Sequence, residues 1–152
     1  MKTPIAGGSF DASHPKALAV YCSDGRFTQA VEDLARGLGH ERIDTLTLPG
    51  GPGLLNLSTA CYSDHDALGR AIGFLVHRHS IEELVLVAHA GCGYYRSRFS
   101  MLSPALLEEH QRADLGHAER WVSDRWRGVR ARSFYARGVD AQITFSPLDP
   151  AR

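Results

Sequence analysis

Two periods of apolar residues alternate along this chain, and the changes of period divide it into elements. Residues 1–15 show neither period and, with Gly7-Gly8-Ser9, Asp11, Ser13 and Pro15, read as an arm or loop. Lys16 to Tyr21 is a mostly apolar run of strand length that stops abruptly at Cys22-Ser-Asp-Gly, as a strand does on entering a loop. From Thr28 the spacing becomes helical. Val31, Leu34, Ala35 and Leu38 fall at i, i+3, i+4 and i+7, with Thr28 as N-cap and Gly39 as the C-terminal stop. Ile43 to Leu48 is β-rich and partly alternating, a second strand closed by Pro49-Gly-Gly-Pro-Gly53. That loop is expected to expose backbone amides and to admit close approach of a ligand or a neighbouring chain.

A second helix is predicted from about Asp66 to His79, with Leu68, Ile72, Leu75, Val76 and His79 along one side and Gly69 and Gly73 permitting tight packing on a sheet. Glu83 to Ala88 follows as a third strand whose near-continuous Leu-Val-Leu-Val-Ala implies burial on both faces, as in a parallel sheet covered by helices. Ser103-Pro104 is a good N-cap and first-turn pair for a helical region that Gly116 is expected to interrupt. Trp121, Val122, Arg125, Trp126 and Val129 extend the helical spacing as far as roughly Tyr135, and Ala141 to Phe145 is a last strand. Strands and helices in alternation give an α/β fold with a mainly parallel sheet flanked by helices. No repeat or linker divides the sequence, so residues 1–152 read as one domain.

Composition narrows the function classes. Lys plus Arg and Asp plus Glu are 17 each, so no net field points to nucleic acid or a membrane surface as partner. Arg120, Arg125, Arg127, Arg130 and Arg132 make one segment basic, read as a solvated face whose stems cover apolar surface. No secretory signal is recognisable before His14, and no run approaches the roughly 18 apolar residues of a membrane span, so a cytoplasmic location is expected. The three cysteines are an odd number, which suits a reducing compartment and metal or thiolate chemistry better than disulfides.

Two of those cysteines fall where apolar runs end. Cys22 is followed by Asp24 and Arg26; His89 and Cys92 stand three apart after the third strand. In open α/β sheets ligands gather beyond the carboxyl ends of strands, which is where both clusters lie. Zinc favours thiolate and imidazole, and catalytic zinc sites use three protein ligands and leave a fourth position free, so Cys22, His89 and Cys92 form a fitting Cys2His set. Asp24, if paired bidentately with Arg26, is held off the metal; if Arg26 releases it, Asp24 can swing onto the fourth position. Cys61 has no partner motif and reads as structural. His65 and His79 are the histidines considered as proton shuttles, without a feature to rank them.

Cys22-Ser-Asp24-Gly-Arg26 and His89-Ala-Gly-Cys92-Gly resemble the paired C-x-D-x-R and H-x-x-C motifs of the β-class carbonic anhydrases, over roughly residues 17–95. The resemblance implies a β-carbonic-anhydrase-like α/β fold, one Zn2+ held by Cys22, His89 and Cys92, and Asp24 with Arg26 as catalytic dyad. It further implies reversible hydration of CO2 to bicarbonate by zinc-bound hydroxide, a homodimer or higher homo-oligomer, and in some members a switch to an Asp-ligated closed form. The substrate pocket is expected at Gly50, Gly51, Gly93 and Tyr94. Where the family usually carries an Arg-Asn-Ala-Gly-Asn type segment, this chain has Leu48-Pro-Gly-Gly-Pro-Gly53, and no glutamine stands out as a substrate-side donor.

Three alternatives stay open on the sequence. One is a non-catalytic zinc-binding protein of the same fold with Asp24 as permanent fourth ligand. Another is a zinc hydrolase acting on a CO2-like molecule such as CS2 or COS. The third is nucleophilic cysteine chemistry at Cys92 with Arg98 six residues on, although Tyr94 and Tyr95 would crowd a phosphate cradle there.

Overall fold

The computed structural model describes residues 7–148. Its elements are β1 (Ala17–Cys22), α1 (Thr28–Gly37), β2 (Asp44–Leu48), a 3-10 turn (Gly51–Leu55), α2 (Tyr62–Arg78), β3 (Glu83–His89), α3 (Gly93–Arg98), α4 (Pro104–Arg125), β4 (Arg130–Val139) and β5 (Gln142–Pro147). The five strands form one sheet in the order β2-β1-β3-β4-β5. All neighbours are parallel except β4 and β5, which form an antiparallel hairpin.

β1 and β3 lie at the centre and every one of their residues is buried, which is why they read as continuous apolar runs. Alternate residues then face opposite layers. Leu18, Val20, Leu84, Leu86, Ala88 and Tyr135 pack with α2 and α4, through Leu68, Ile72, Leu115, Ala118 and Trp121. Ala19, Tyr21, Val85, Val87, Phe134 and Ala136 pack on the other side with Phe27 and with Val31 of α1. Each fully buried Leu or Val contributes roughly 1.5–3 kcal/mol relative to exposure, so two dry faces hold the central strands in register. Strand direction and register place the ends of β1 and β3 side by side, with Tyr21 opposite Val87.

Several boundaries differ from the sequence reading. Thr28 is the first helical residue rather than the cap, and no side chain caps α1. α2 begins at Tyr62, earlier than Asp66. α4 runs unbroken through Gly116, because that glycine lies inside a long helix whose buried stripe continues on both sides of it. The helical spacing past Arg125 proves to be coincidence. A turn at Arg127-Gly128 ends α4, and Arg130 to Val139 is a strand on which Arg130 and Arg132 reach the buried Glu83 of β3. The hairpin between β4 and β5 turns on Asp140 and Ala141, both with positive φ (47° and 63°), as a two-residue turn matched to strand twist requires. Residues 7–15 carry no helix or strand; the first six residues of the expected arm lie outside the described residues. Among the described residues no helix is long and apolar enough to cross a membrane.

Candidate metal centre

Cys22 closes β1, His89 closes β3, and the Ala90-Gly91 turn delivers Cys92 to the N-cap of α3. Gly91 makes this turn with φ +70°, a conformation that side chains other than glycine disfavour. Among the described residues, Cys22, His89 and Cys92 form the one group of three His, Cys or acidic residues placed to hold a metal, with donor atoms all within 4.8 Å of one another. The two Sγ atoms are 3.8 Å apart. Two sulfurs bound to one tetrahedral zinc at about 2.3 Å are themselves about 3.8 Å apart, so this edge already has the required length. Exposure is 8%, 2% and 2% for Cys22, His89 and Cys92, which keeps water from competing for the donors.

The imidazole is oriented for coordination. His89 Nδ1 lies 2.9 Å from the Ala90 carbonyl, which can only accept, so Nδ1 carries the proton and Nε2 the lone pair. That Nε2 is buried and has no hydrogen-bond partner. An orphaned buried nitrogen costs about 1–3 kcal/mol, and a cation among two sulfurs and this lone pair removes the penalty, so the residues present fit zinc. The Phe27 ring packs on the imidazole, centroids 4.3 Å apart.

The thiols behave as a coupled pair. The contact with the Cys92 thiol holds Cys22 well below the usual thiol range, helped by His89 and by the amides of Gly50 and Asp24. The same contact with Cys22, together with burial, pushes Cys92 up. Burial works against a charged His89, yet the Cys22 sulfur and the Ala90 carbonyl leave its value raised.

Asp24 and Arg26 lie at the rim. An Asx turn, with Arg26 N donating to Asp24 Oδ1 at 3.1 Å, folds the guanidinium back onto the carboxylate. Arg26 Nε then donates to Oδ1 at 2.9 Å and Nη2 to Oδ2 at 2.6 Å. The Arg26 hydrogen bond holds the Asp24 carboxyl down to about 2, so it is an anion at any ordinary pH. Arg26 itself is 75% exposed.

The glycine loop departs from expectation. Instead of facing a neighbouring chain it is buried against its own chain, with the Gly50 amide turned toward Cys22. A Cβ on Gly50 would lie 2.7 Å from the Tyr94 ring, one on Gly51 2.7 Å from Cys22 N, and one on Gly53 1.9 Å from the Tyr95 hydroxyl. Of the four residues expected to form the pocket, Gly93 lines a cleft of about 800 Å3 beside Cys92, whose wall also includes Tyr95, Arg96, Gln111 and Tyr135; Gly50, Gly51 and Tyr94 are not part of that wall. Tyr94 instead donates to the Thr59 carbonyl at 2.9 Å.

Other sequence candidates fall elsewhere. His79 pairs with Asp44 at the amino-terminal edge of the sheet, the opposite end from Cys22, so it is badly placed as a shuttle. His65 contacts the Leu54 carbonyl through Nδ1. Cys61 is exposed beside Ser63. The residues between Cys92 and Arg98 form α3, which is not a phosphate-cradling loop.

Sequence reasoning missed two buried polar side chains on α4. Asp114 accepts from Asn56, Thr59 and Tyr95 at 2.6–2.7 Å, tying α4 to α3 and to the segment between the 3-10 turn and α2. Gln111 donates to the His89 carbonyl at 3.0 Å. The signal was available: both occupy the buried stripe of Leu107, Leu115, Ala118 and Val122, where a polar residue needs a reason.

The architecture is that of the β-carbonic anhydrases. Solved structures similar to this chain include the β-carbonic anhydrase CcaA, with a TM-score of 0.60 and 12% identity over 91% of this chain and 85% of that one. A carbonic anhydrase from Streptococcus mutans gives 0.59 and 14% over 91% and 87%, and tetrameric β-carbonic anhydrases of Sordaria macrospora give 0.56 and 12% over 88% and 81%. No protein-family model and no curated protein matches the sequence. At this level of identity the likeness defines the fold, and the chain has a β-carbonic-anhydrase-like fold.

Proposed function

We propose that this chain is a zinc-dependent enzyme that interconverts CO2 and bicarbonate, in one α/β domain. The observation that carries the reading is the orphaned His89 Nε2 facing two sulfurs at zinc spacing, with an ionised Asp24 beside them held by Arg26. When bound, zinc supplies the Lewis acidity that turns water into a nucleophile near neutral pH. Cys22, His89 and Cys92 would hold it. The Asp24 carboxylate, kept off the ligand set by Arg26, would accept a hydrogen bond from a water at the site and so orient it toward CO2. Arg26 keeps Asp24 unprotonated and in place; the buried ligand cluster excludes bulk water from the donors.

The engagement of Asp24 by Arg26 counts against a module in which Asp24 is a permanent fourth ligand. The tetrameric structural neighbours and the exposed Met101 and Leu106 near the cleft support a homo-oligomer. Free buried thiols accord with a reducing, cytoplasmic setting.

The test is metal analysis followed by stopped-flow CO2 hydration. About one zinc per chain is expected, with hydration that falls by on the order of 100-fold in Asp24→Ala while zinc is retained. Wild-type rates no higher than those of Asp24→Ala would defeat the enzymatic reading, and turnover of COS or CS2 without CO2 would redirect it.

A further inference from the structure

The peptide joining His89 to Ala90 is held on both sides. Its N–H donates to the Ala136 carbonyl at 2.9 Å, and its carbonyl accepts from Gln111 Nε2 at 3.0 Å. Pairing of β3 with β1 ends at Val87 and with β4 at His89, so Gln111 takes over where β3 runs out of strand neighbours. The next carbonyl along, Ala90 O, is the one that fixes the His89 tautomer. Beyond it comes Gly91, with its left-handed φ and no side chain to brace the turn.

Gln111 is itself set by a partner. It is 3% exposed, and because a carbonyl can only accept, its amide nitrogen must face His89. That leaves Oε1 buried and in need of a donor, which the Tyr135 hydroxyl supplies at 3.1 Å. The Tyr135 ring is in turn flanked by the guanidinium groups of Arg112 at 4.7 Å and Arg137 at 5.4 Å, both paired with Glu108.

We propose that Gln111, held by Tyr135, is the positioning residue of the metal centre: it clamps the peptide from which the His89 imidazole hangs and so fixes where Nε2 points. Gln111 is not one of the three ligand-type residues, although it also lines the cleft beside Cys92. It acts through a backbone carbonyl, from the helix that packs across the end of β3. The inference rests on the metal reading above and deepens it. Direct partners of a metal-ligating histidine's ring typically govern affinity by about 10–100-fold; here that partner is the Ala90 carbonyl, one peptide along from the carbonyl that Gln111 holds.

The experiment uses the full chain. Zinc affinity is measured by competition with a chromophoric chelator, the visible spectrum is recorded after substitution with Co2+, and the melting midpoint is measured without metal. Tyr135→Phe removes one hydroxyl from a filled site; about a 10-fold loss of zinc affinity is expected, with displaced cobalt bands and a metal-free midpoint within a few degrees of wild type. Gln111→Leu and Gln111→Glu, which lack the donor at similar size, are expected nearer about 100-fold. If the Gln111 variants do not fold, Tyr135→Phe decides alone. Zinc affinity within twofold of wild type and unshifted cobalt bands in Tyr135→Phe overturn the proposal while leaving the metal centre intact. A wild-type chain that takes up neither zinc nor cobalt overturns the metal reading itself, and this inference with it.

Discussion

The two ends of β3 bury polar groups in opposite ways. At the amino end Glu83 is 1% exposed and fully engaged: His40 Nε2 lies at 2.9 Å, Arg130 donates at 3.2 Å, and Arg132 donates to the other oxygen. Although burial alone raises a carboxyl, these partners leave Glu83 below its ordinary value. At the carboxyl end, His89 is buried as deeply and its Nε2 has no partner, facing two thiols. One end is a finished ion cluster. The other is an arrangement of donors with one buried lone pair left unpaired, and the proposed metal centre rests on this asymmetry along one strand.

The largest expected effect comes from breaking the unfinished end. Cys92→Ala should reduce bound zinc from about one per chain to near zero by elemental analysis, because only Cys22 and His89 remain to hold it. Metal-free stability should change little, whereas wild-type protein loaded with zinc at about 1,000 times its dissociation constant gains about 4 kcal/mol. An unchanged zinc content in Cys92→Ala would erase the contrast between the two ends.

Breaking the finished end should do the reverse. Glu83→Gln is expected to keep zinc and lose about 2–3 kcal/mol of stability, below the roughly 3–5 kcal/mol of a fully buried pair because Arg130 is mostly and Arg132 partly exposed. The sign with pH follows from the lowered folded-state value. The Glu83 contribution is present above the unfolded carboxylate value of about 4.3 and is lost as pH falls through the folded one, so urea midpoints of wild type and Glu83→Gln should converge on acidification.

Shape rather than charge governs the loop beside the centre. Gly53→Ala should cost about 1–3 kcal/mol, read from thermal unfolding of the metal-free protein, since the added methyl meets the Tyr95 hydroxyl at 1.9 Å. The smallest effect tests independence: measured with zinc present, the stability losses of Cys92→Ala and Glu83→Gln should add within about 0.5 kcal/mol, the ends of the strand sharing no partner. A larger coupling would show the two clusters to be one network.

How much of this was legible depended on what each residue type signals by itself. β1 and β3 announced themselves because burial on both faces forbids polar interruption until the strand ends, and their ends carried Cys22, His89 and Cys92. β4 was hidden by its arginines: Arg130 and Arg132 fall on one face of the strand and Arg137 on the other, breaking any apolar alternation, while Trp126 and Val129 sit at helical distance from Trp121 and Val122 and masked the turn at Gly128. Gln111 and Tyr135 were invisible as a pair because their meeting depends on α4 crossing the end of β3, a tertiary fact that neither segment encodes locally. The glycine loop was legible as a place of close approach, but not for whom: its visitors are Tyr94 and Tyr95 of the same chain.

That fit between bare backbone and aromatic rings works like a mould and its casting. Position 51 is closed by the main chain at Cys22, position 50 by one ring and position 53 by the hydroxyl that reaches Asp114. Grafting polar side chains into this loop is therefore a two-sided edit, in which Tyr94 must be trimmed to admit a group at 50 and Tyr95 to admit one at 53, and trimming Tyr95 unties α3 from α4 beneath Cys92.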